Sequence, residues 1–166
     1  MKLSINGSTF LSNDGAIDCR CELGTIPNII SINNSTFLKN YNSKYYTANF
    51  YFQNADLNIS DCSFINNTES GNYNGGAISI DTTTALIRNT SFLNNFALSG
   101  GAIFINTLTT YTTIVDCLFT NNSATHFGGA IYALSDKDVI IRGTKFIENF
   151  ANVSGGAIYS WRSNYI

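Results

Sequence analysis

The sequence predicts an all-β fold, a right-handed parallel β-helix of about six rungs of ~27 residues with three short strands per rung. Phe-x-x-Asn recurs at Phe10/Asn13, Phe37/Asn40, Phe64/Asn67, Phe92/Asn95, Phe119/Asn122 and Phe146/Asn149, with steps of 27, 27, 28, 27 and 27 residues between the phenylalanines. No segment shows the 3.6-residue period of an amphipathic helix; apolar residues alternate instead, as in a strand that buries one face. A single repeat cannot bury its own apolar residues, whereas repeats stacked in register turn them into continuous internal columns. The right-handed sense follows from the crossover rule for parallel strands.

Each part of the repeat has its own reason. Ile5, Ile32, Ile59, Ile87, Ile114 and Ile141 stand five residues before each Phe, and Leu3, Ile30, Leu57, Ala85, Thr112 and Val139 two residues earlier, which makes a first strand with one inward face. Gly7, Asn34, Asp61, Asn89, Asp116 and Gly143 follow, all residue types that tolerate a left-handed backbone, so the chain bends sharply there. Ser8, Ser35, Cys62, Thr90, Cys117 and Thr144 are small and point inward with the Phe of a second strand. The column Asn13, Asn40, Asn67, Asn95, Asn122 and Asn149 is read as an Asn ladder, hydrogen-bonded between layers and to the turn backbone. Ala97, Ala124 and Ala151 two residues on imply a corner too tight for anything larger.

A glycine phrase then delivers the chain into a third strand: Gly75-Gly76-Ala77-Ile78, Gly100-Gly101-Ala102-Ile103, Gly128-Gly129-Ala130-Ile131 and Gly155-Gly156-Ala157-Ile158. Repeat one keeps Asp14-Gly15-Ala16-Ile17, and repeat two reads Thr47-Ala48-Asn49-Phe50. No Lys-Ser/Thr follows these glycines, which excludes a phosphate loop. The residue after the phrase faces outward: Asp18, Tyr51, Ser79, Phe104, Tyr132 and Tyr159.

The 166 residues form one repeat domain, residues 1–166, with irregular rungs over 1–56 and regular rungs over 57–166. Only 12% of residues are charged and the net charge is −2, with no Lys/Arg cluster, so no nucleic-acid partner is expected. No apolar run is long enough to insert this segment into a membrane. The chain enters its first repeat without a signal segment, and neither end carries a polar or helical cap. It is therefore expected to be an interior piece of a longer exported protein. Cys62 and Cys117 lie two layers apart, too far for a disulfide, and are read as small buried residues. Whether Cys19 and Cys21 pair is left open.

Phe-x-x-Asn alternating with Gly-Gly-Ala-Ile resembles the repeat signature of the chlamydial polymorphic membrane proteins and related adhesin-like right-handed β-helix proteins. The resemblance covers all six repeats for Phe-x-x-Asn and four for the full glycine phrase. It implies a surface-exposed or secreted segment that acts in adhesion, binding host or neighbour-cell ligands, protein or glycan. Against the family's pattern stand the missing signal peptide and membrane barrel, and the lost glycines of repeat two.

The alternative is a polysaccharide lyase or hydrolase β-helix whose catalytic residues lie outside this segment. Such chemistry needs paired carboxylates, or acids around Ca²⁺, on adjacent turns. The acids here do not converge: Asp61 and Asp116 are separated by Asn89, and Asp56 and Asp138 lie three turns apart. His126 is a lone loop residue. No catalytic residue, cofactor or metal ligand is therefore assigned, and no enzyme is expected. The candidate ligand contacts are the aromatic stripe Phe104, Tyr132 and Tyr159, with Trp161 near its end. Asn-x-Ser/Thr glycosylation sequons at Asn6, Asn58, Asn89, Asn121 and Asn152 have meaning only in a host that glycosylates secreted proteins.

Overall fold

The computed structural model describes residues 1–21, 28–42, 49–70, 72–107, 109–135 and 137–161. The chain is a parallel β-solenoid without helix among these residues, and its strands build four sheets that run along the stack. The first sheet holds the Ile strands, Lys2–Asn6, Ile29–Asn33, Asp56–Ser60, Thr84–Arg88, Thr112–Val115 and Val139–Arg142. The second holds the Phe strands, Thr9–Leu11, Thr36–Leu38, Ser63–Ile65, Ser91–Leu93, Leu118–Thr120 and Lys145–Ile147. The sheet after the glycine phrase contains Ile17–Arg20, Phe50–Gln53, Ile78–Asp81, Ile103–Thr107, Ile131–Ser135 and Ile158–Trp161. Pairing follows the repeat residue for residue, for example Phe64↔Phe92↔Phe119 and Ile59↔Ile87↔Ile114. No helix among the described residues is long and apolar enough to cross a membrane.

A fourth sheet is added to the three strands per rung read from the sequence. Its strands are two residues long: Tyr41–Asn42, Thr68–Glu69, Phe96–Ala97, Ser123–Ala124 and Phe150–Ala151. The position of Ala97 and Ala124 is thus an inward strand position, and the expectation of a corner too tight for a larger side chain is corrected. Asn42 and Glu69 share that register and are buried. In their rungs the link to the next sheet is longer in sequence, Asn40 to Phe50 and Asn67 to Ile78 against Asn95 to Ile103. Thr47 and Ala48, where repeat two departs from the glycine phrase, and residues 162–166 lie outside the described residues.

The Phe column is the spine of the core. Successive rings from Phe10 to Phe146 stack with centroids 4.5–5.1 Å apart and planes within 21° of each other. Such pairs contribute about 0.5–1.5 kcal/mol each beyond the area they bury. Phe50 closes the second rung by meeting Phe37 edge-on at 4.6 Å.

Asn40, Asn67, Asn95 and Asn122 use every side-chain polar atom they have. The Oδ1 of Asn122 accepts from both the backbone N and the Nδ2 of Asn95, at 3.0 and 2.9 Å, and the second Nδ2 hydrogen of Asn95 goes to the Phe64 carbonyl at 3.0 Å. The same pattern links Asn40, Asn67 and Asn122 to the rungs on either side. All four are fully buried, where an unpaired amide is costly.

The predicted bends are left-handed throughout, with φ of 58, 46, 55, 52, 51 and 60° at Gly7, Asn34, Asp61, Asn89, Asp116 and Gly143. A second left-handed column precedes the asparagines at Ser12, Lys39, Asn66, Asn94, Asn121 and Glu148. Lys39 and Glu148 have no intrinsic preference for that region; the Asn hydrogen bonds and the sheets on both sides impose it.

The small inward column does more than leave space. Ser35, Cys62, Thr90 and Cys117 each donate an O–H or S–H hydrogen to the carbonyl two residues back, at 2.7, 3.1, 2.8 and 3.2 Å, across the left-handed bend. Thr112 is among the buried residues with an oxygen that lacks such use. Thr112 is fully buried in an otherwise apolar column, and its Oγ1 has no partner. Thr112→Val keeps the shape and removes the unpaired hydroxyl, so it raises the free energy of unfolding by about 1 kcal/mol. A urea titration showing the variant less stable than the native chain would contradict this.

Candidate functional site

The sheet after the glycine phrase presents two outward columns, because its strands alternate faces. In register they are Tyr51, Ser79, Phe104, Tyr132 and Tyr159, and Gln53, Asp81, Asn106, Leu134 and Trp161, with Asp18 and Arg20 preceding them on the first strand. The face divides along its length into a polar part and an aromatic part.

The polar part is closed on itself. Arg20 Nε lies 3.0 Å from Asp18 Oδ1, and its guanidinium is 5.5 Å from the Tyr51 ring centre. The Asp81 carboxylate accepts from Tyr51 Oη at 2.9 Å, Gln53 Nε2 at 3.2 Å and Asn106 Nδ2 at 3.2 Å. Burial, and then the Asp81 carboxylate beside it, push the Tyr51 phenol up to about 12, so it remains a hydrogen donor at any physiological pH. These groups already have partners and offer little to a ligand.

The aromatic part has no such closure. Phe104 and Tyr132 stack at 5.4 Å with planes 29° apart, and Tyr132 and Tyr159 follow at 5.7 Å and 52°. The sequence expectation of an open stripe changes in one respect: these three side chains are half-buried, because the rings pack against one another from rung to rung. Burial, with Tyr159 next, also raises the Tyr132 phenol. Trp161 is 59% exposed and belongs to the neighbouring column, in register with Leu134.

Sequence reasoning missed Phe127. It precedes Gly128 in the turn and packs 4.6 Å from Tyr159 and 6.0 Å from Tyr132, completing a four-ring cluster. The equivalent residues are Asn74, Ser99 and Ser154, so the repeat alignment carries no signal for an aromatic there.

Two other faces have features of their own. Outside the Phe sheet runs a column of Leu11, Leu38, Ile65, Leu93, Thr120 and Ile147, aliphatic but for Thr120, exposed at its first and last members and half-buried between. Along the left-handed bends lies a groove of about 470 Å³ lined by Asp61, Leu86, Arg88, Asn89, Val115 and Asp116. Asn89 Nδ2 donates to Asp61 Oδ1 at 2.8 Å, and this bond holds the Asp61 carboxyl below its usual range. Asp61 and Asp116 thus stand in one groove with an amide between them. His126 is exposed, 6.1 Å from the Phe127 ring. Among the described residues no group of three or more His, Cys, Asp or Glu is placed to hold a metal ion.

Two segments, 116–134 and 143–160, match the family described as the Chlamydia polymorphic membrane protein repeat. Neither a curated protein nor a solved structure matches the chain. Each matched segment starts at a left-handed bend, Asp116 or Gly143, crosses the Phe strand, the Asn position and the glycine phrase, and ends beyond an outward tyrosine, Tyr132 or Tyr159. Residues 116–134 and 143–160 are thus similar to the Chlamydia polymorphic membrane protein repeat, in a chain that folds as a parallel β-solenoid.

Proposed function

We propose that this chain is a rigid display segment of a surface-exposed protein, without chemistry of its own, and that its aromatic face binds a protein on a host or neighbouring cell. The observation that carries the reading is the four-ring cluster of Phe104, Tyr132, Tyr159 and Phe127, flanked by Leu134 and Trp161, on a face whose other end is polar and self-satisfied. Aromatic clusters of this kind supply the anchors of protein interfaces. The stacking of Phe104 on Tyr132 turns their edges outward, which favours an apolar protein surface over a sugar ring that needs an open aromatic face. A glycan remains the other ligand class, with the free Trp161 ring as its platform. The matched repeat of a membrane protein family supports an outer-membrane or extracellular location, as part of a longer exported chain.

The double variant Tyr132→Ser/Tyr159→Ser tests the reading. Binding of the labelled chain to cell surfaces falls by about tenfold or more, as expected of a truncated hot spot, while the melting temperature drops by only a few degrees. Protease treatment of the cells abolishes native binding and glycosidase treatment does not. Unchanged binding with a lowered melting temperature would reduce the aromatic column to a stabilising feature of the sheet.

A further inference from the structure

The four cysteines are all free and buried, yet they occupy two different settings. Cys62 and Cys117 serve the bends, their thiols donating to the Ser60 and Val115 carbonyls. Cys19 and Cys21 serve no bend. They take alternate positions at the end of the strand Ile17–Arg20, so both side chains turn to the same, interior side, and each keeps 8% exposure. Their strand is the last in its sheet, next to Phe50–Gln53, with Cys19 opposite Phe52. Two thiols supply half of a tetrahedral zinc site, and no third ligand joins them among the described residues.

We propose that Cys19 and Cys21 form a redox-active pair, which closes to an intrastrand disulfide when the chain meets a low-molecular-weight disulfide oxidant. Two strand residues advance the backbone by ~6.6 Å, at the upper end of the Cα separations a disulfide spans. The bridge closes when the strand end puckers, which loosens the bonds from Cys21 N to Gln53 O at 3.2 Å and from Asn54 Nδ2 to Cys21 O at 2.9 Å. A bridge strained in this way is easily reduced, so the pair cycles instead of serving as a permanent staple.

The chemistry balances through thiol–disulfide exchange. The Cys21 thiolate attacks one sulfur of the external disulfide and expels the other as a thiolate, leaving a mixed disulfide on Cys21. Burial and the adjacent Cys21 push the Cys19 thiol up. Cys19 then loses its proton, attacks the Cys21 sulfur and releases the second small thiol. Two protein thiols are oxidised, one small disulfide is reduced to two thiols, and the protein loses two hydrogen atoms.

The test uses the whole chain with Cys62→Ser and Cys117→Thr, residue types that Ser35 and Thr90 already place in that column. After incubation with glutathione disulfide and alkylation, intact mass shows a folded chain lighter by two hydrogens, without alkyl groups, and reduced glutathione restores two alkylatable thiols. Peptide mapping of the native chain locates the same Cys19–Cys21 link without the background substitutions. Two alkylated thiols after oxidation, a glutathione adduct that persists with both cysteines present, or a bridge that forms only in denaturant would each overturn the proposal.

Discussion

Asn95→Ala lowers the free energy of unfolding by about 3–5 kcal/mol, although it removes no apolar contact of note. The substitution takes away an acceptor shared by the N and Nδ2 of Asn67, the donor to the Phe64 carbonyl, and one of the two donors to Asn122 Oδ1, whose bond from the Asn95 backbone N remains. The Asn67 donors and the Phe64 carbonyl remain buried and lose these bonds, and each unsatisfied group costs about 1–3 kcal/mol. The damage extends into the rungs on both sides, because every asparagine of the column depends on the next. Chemical denaturation with an unchanged m-value and a shift below about 1 kcal/mol would show that water, or a relaxed turn, replaces these bonds.

Gly101→Ala has an effect of similar or larger size for a steric reason. A Cβ at Gly101 meets the backbone carbonyl oxygens of Gly129 and Ser123, in the next rung and in the short sheet, and neither can move without breaking strand pairing. The cost is about 4 kcal/mol or more, in the range that marks a named structural fault. Gly156→Ala is the internal control. Among the described residues its Cβ meets only the Asn149 carbonyl oxygen, at 3.3 Å, and the change is within about 1 kcal/mol of neutral. Equal melting temperatures for the two variants would mean that the rungs shift apart to admit a methyl group. At Gly100, where φ is +63°, alanine adds backbone strain to a contact with the Ile103 carbonyl.

The period of the phenylalanines made the solenoid legible, and the residue types at Gly7, Asn34, Asp61, Asn89, Asp116 and Gly143 located the first bend. These positions are fixed by local sterics, which a residue type records directly. The second left-handed column was hidden, because Lys39 and Glu148 are held there by neighbouring rungs and not by their own preference. The short fourth sheet was hidden for a related reason: two residues are too few to show an alternating period, and Glu69 broke the run of alanines. The thiols of Cys62 and Cys117 read as apolar filler until the bend carbonyls they bond were in place, although every member of their column carries an O–H or S–H hydrogen. At the candidate face, strand alternation put Phe104, Tyr132 and Tyr159 on one side. Phe127 reaches them from a turn, where spacing carries no direction.

The same contrast separates scaffold from recognition. Inward columns repeat one residue type or a close set, because stacked rungs share one cross-section. The outward columns change from Tyr51 and Asp81 to Phe104 and Leu134 within two rungs. On the proposed function, those outward columns are what a binding partner would read.

Deleting residues 96–122 tests the central claim that the chain is a stack of interchangeable rungs. The cut joins Asn95 to Ser123, as Asn122 is joined to it now, and removes one 27-residue period, the offset between Asn95 and Asn122. The shortened chain should fold into a β-solenoid one rung shorter, with an unchanged β-sheet circular dichroism signal per residue, a cooperative transition and a lower melting temperature, since stability adds by rung and interface. An unfolded or aggregated product, while Gly156→Ala folds normally under the same conditions, would show that the rungs are not equivalent units and would contradict the account.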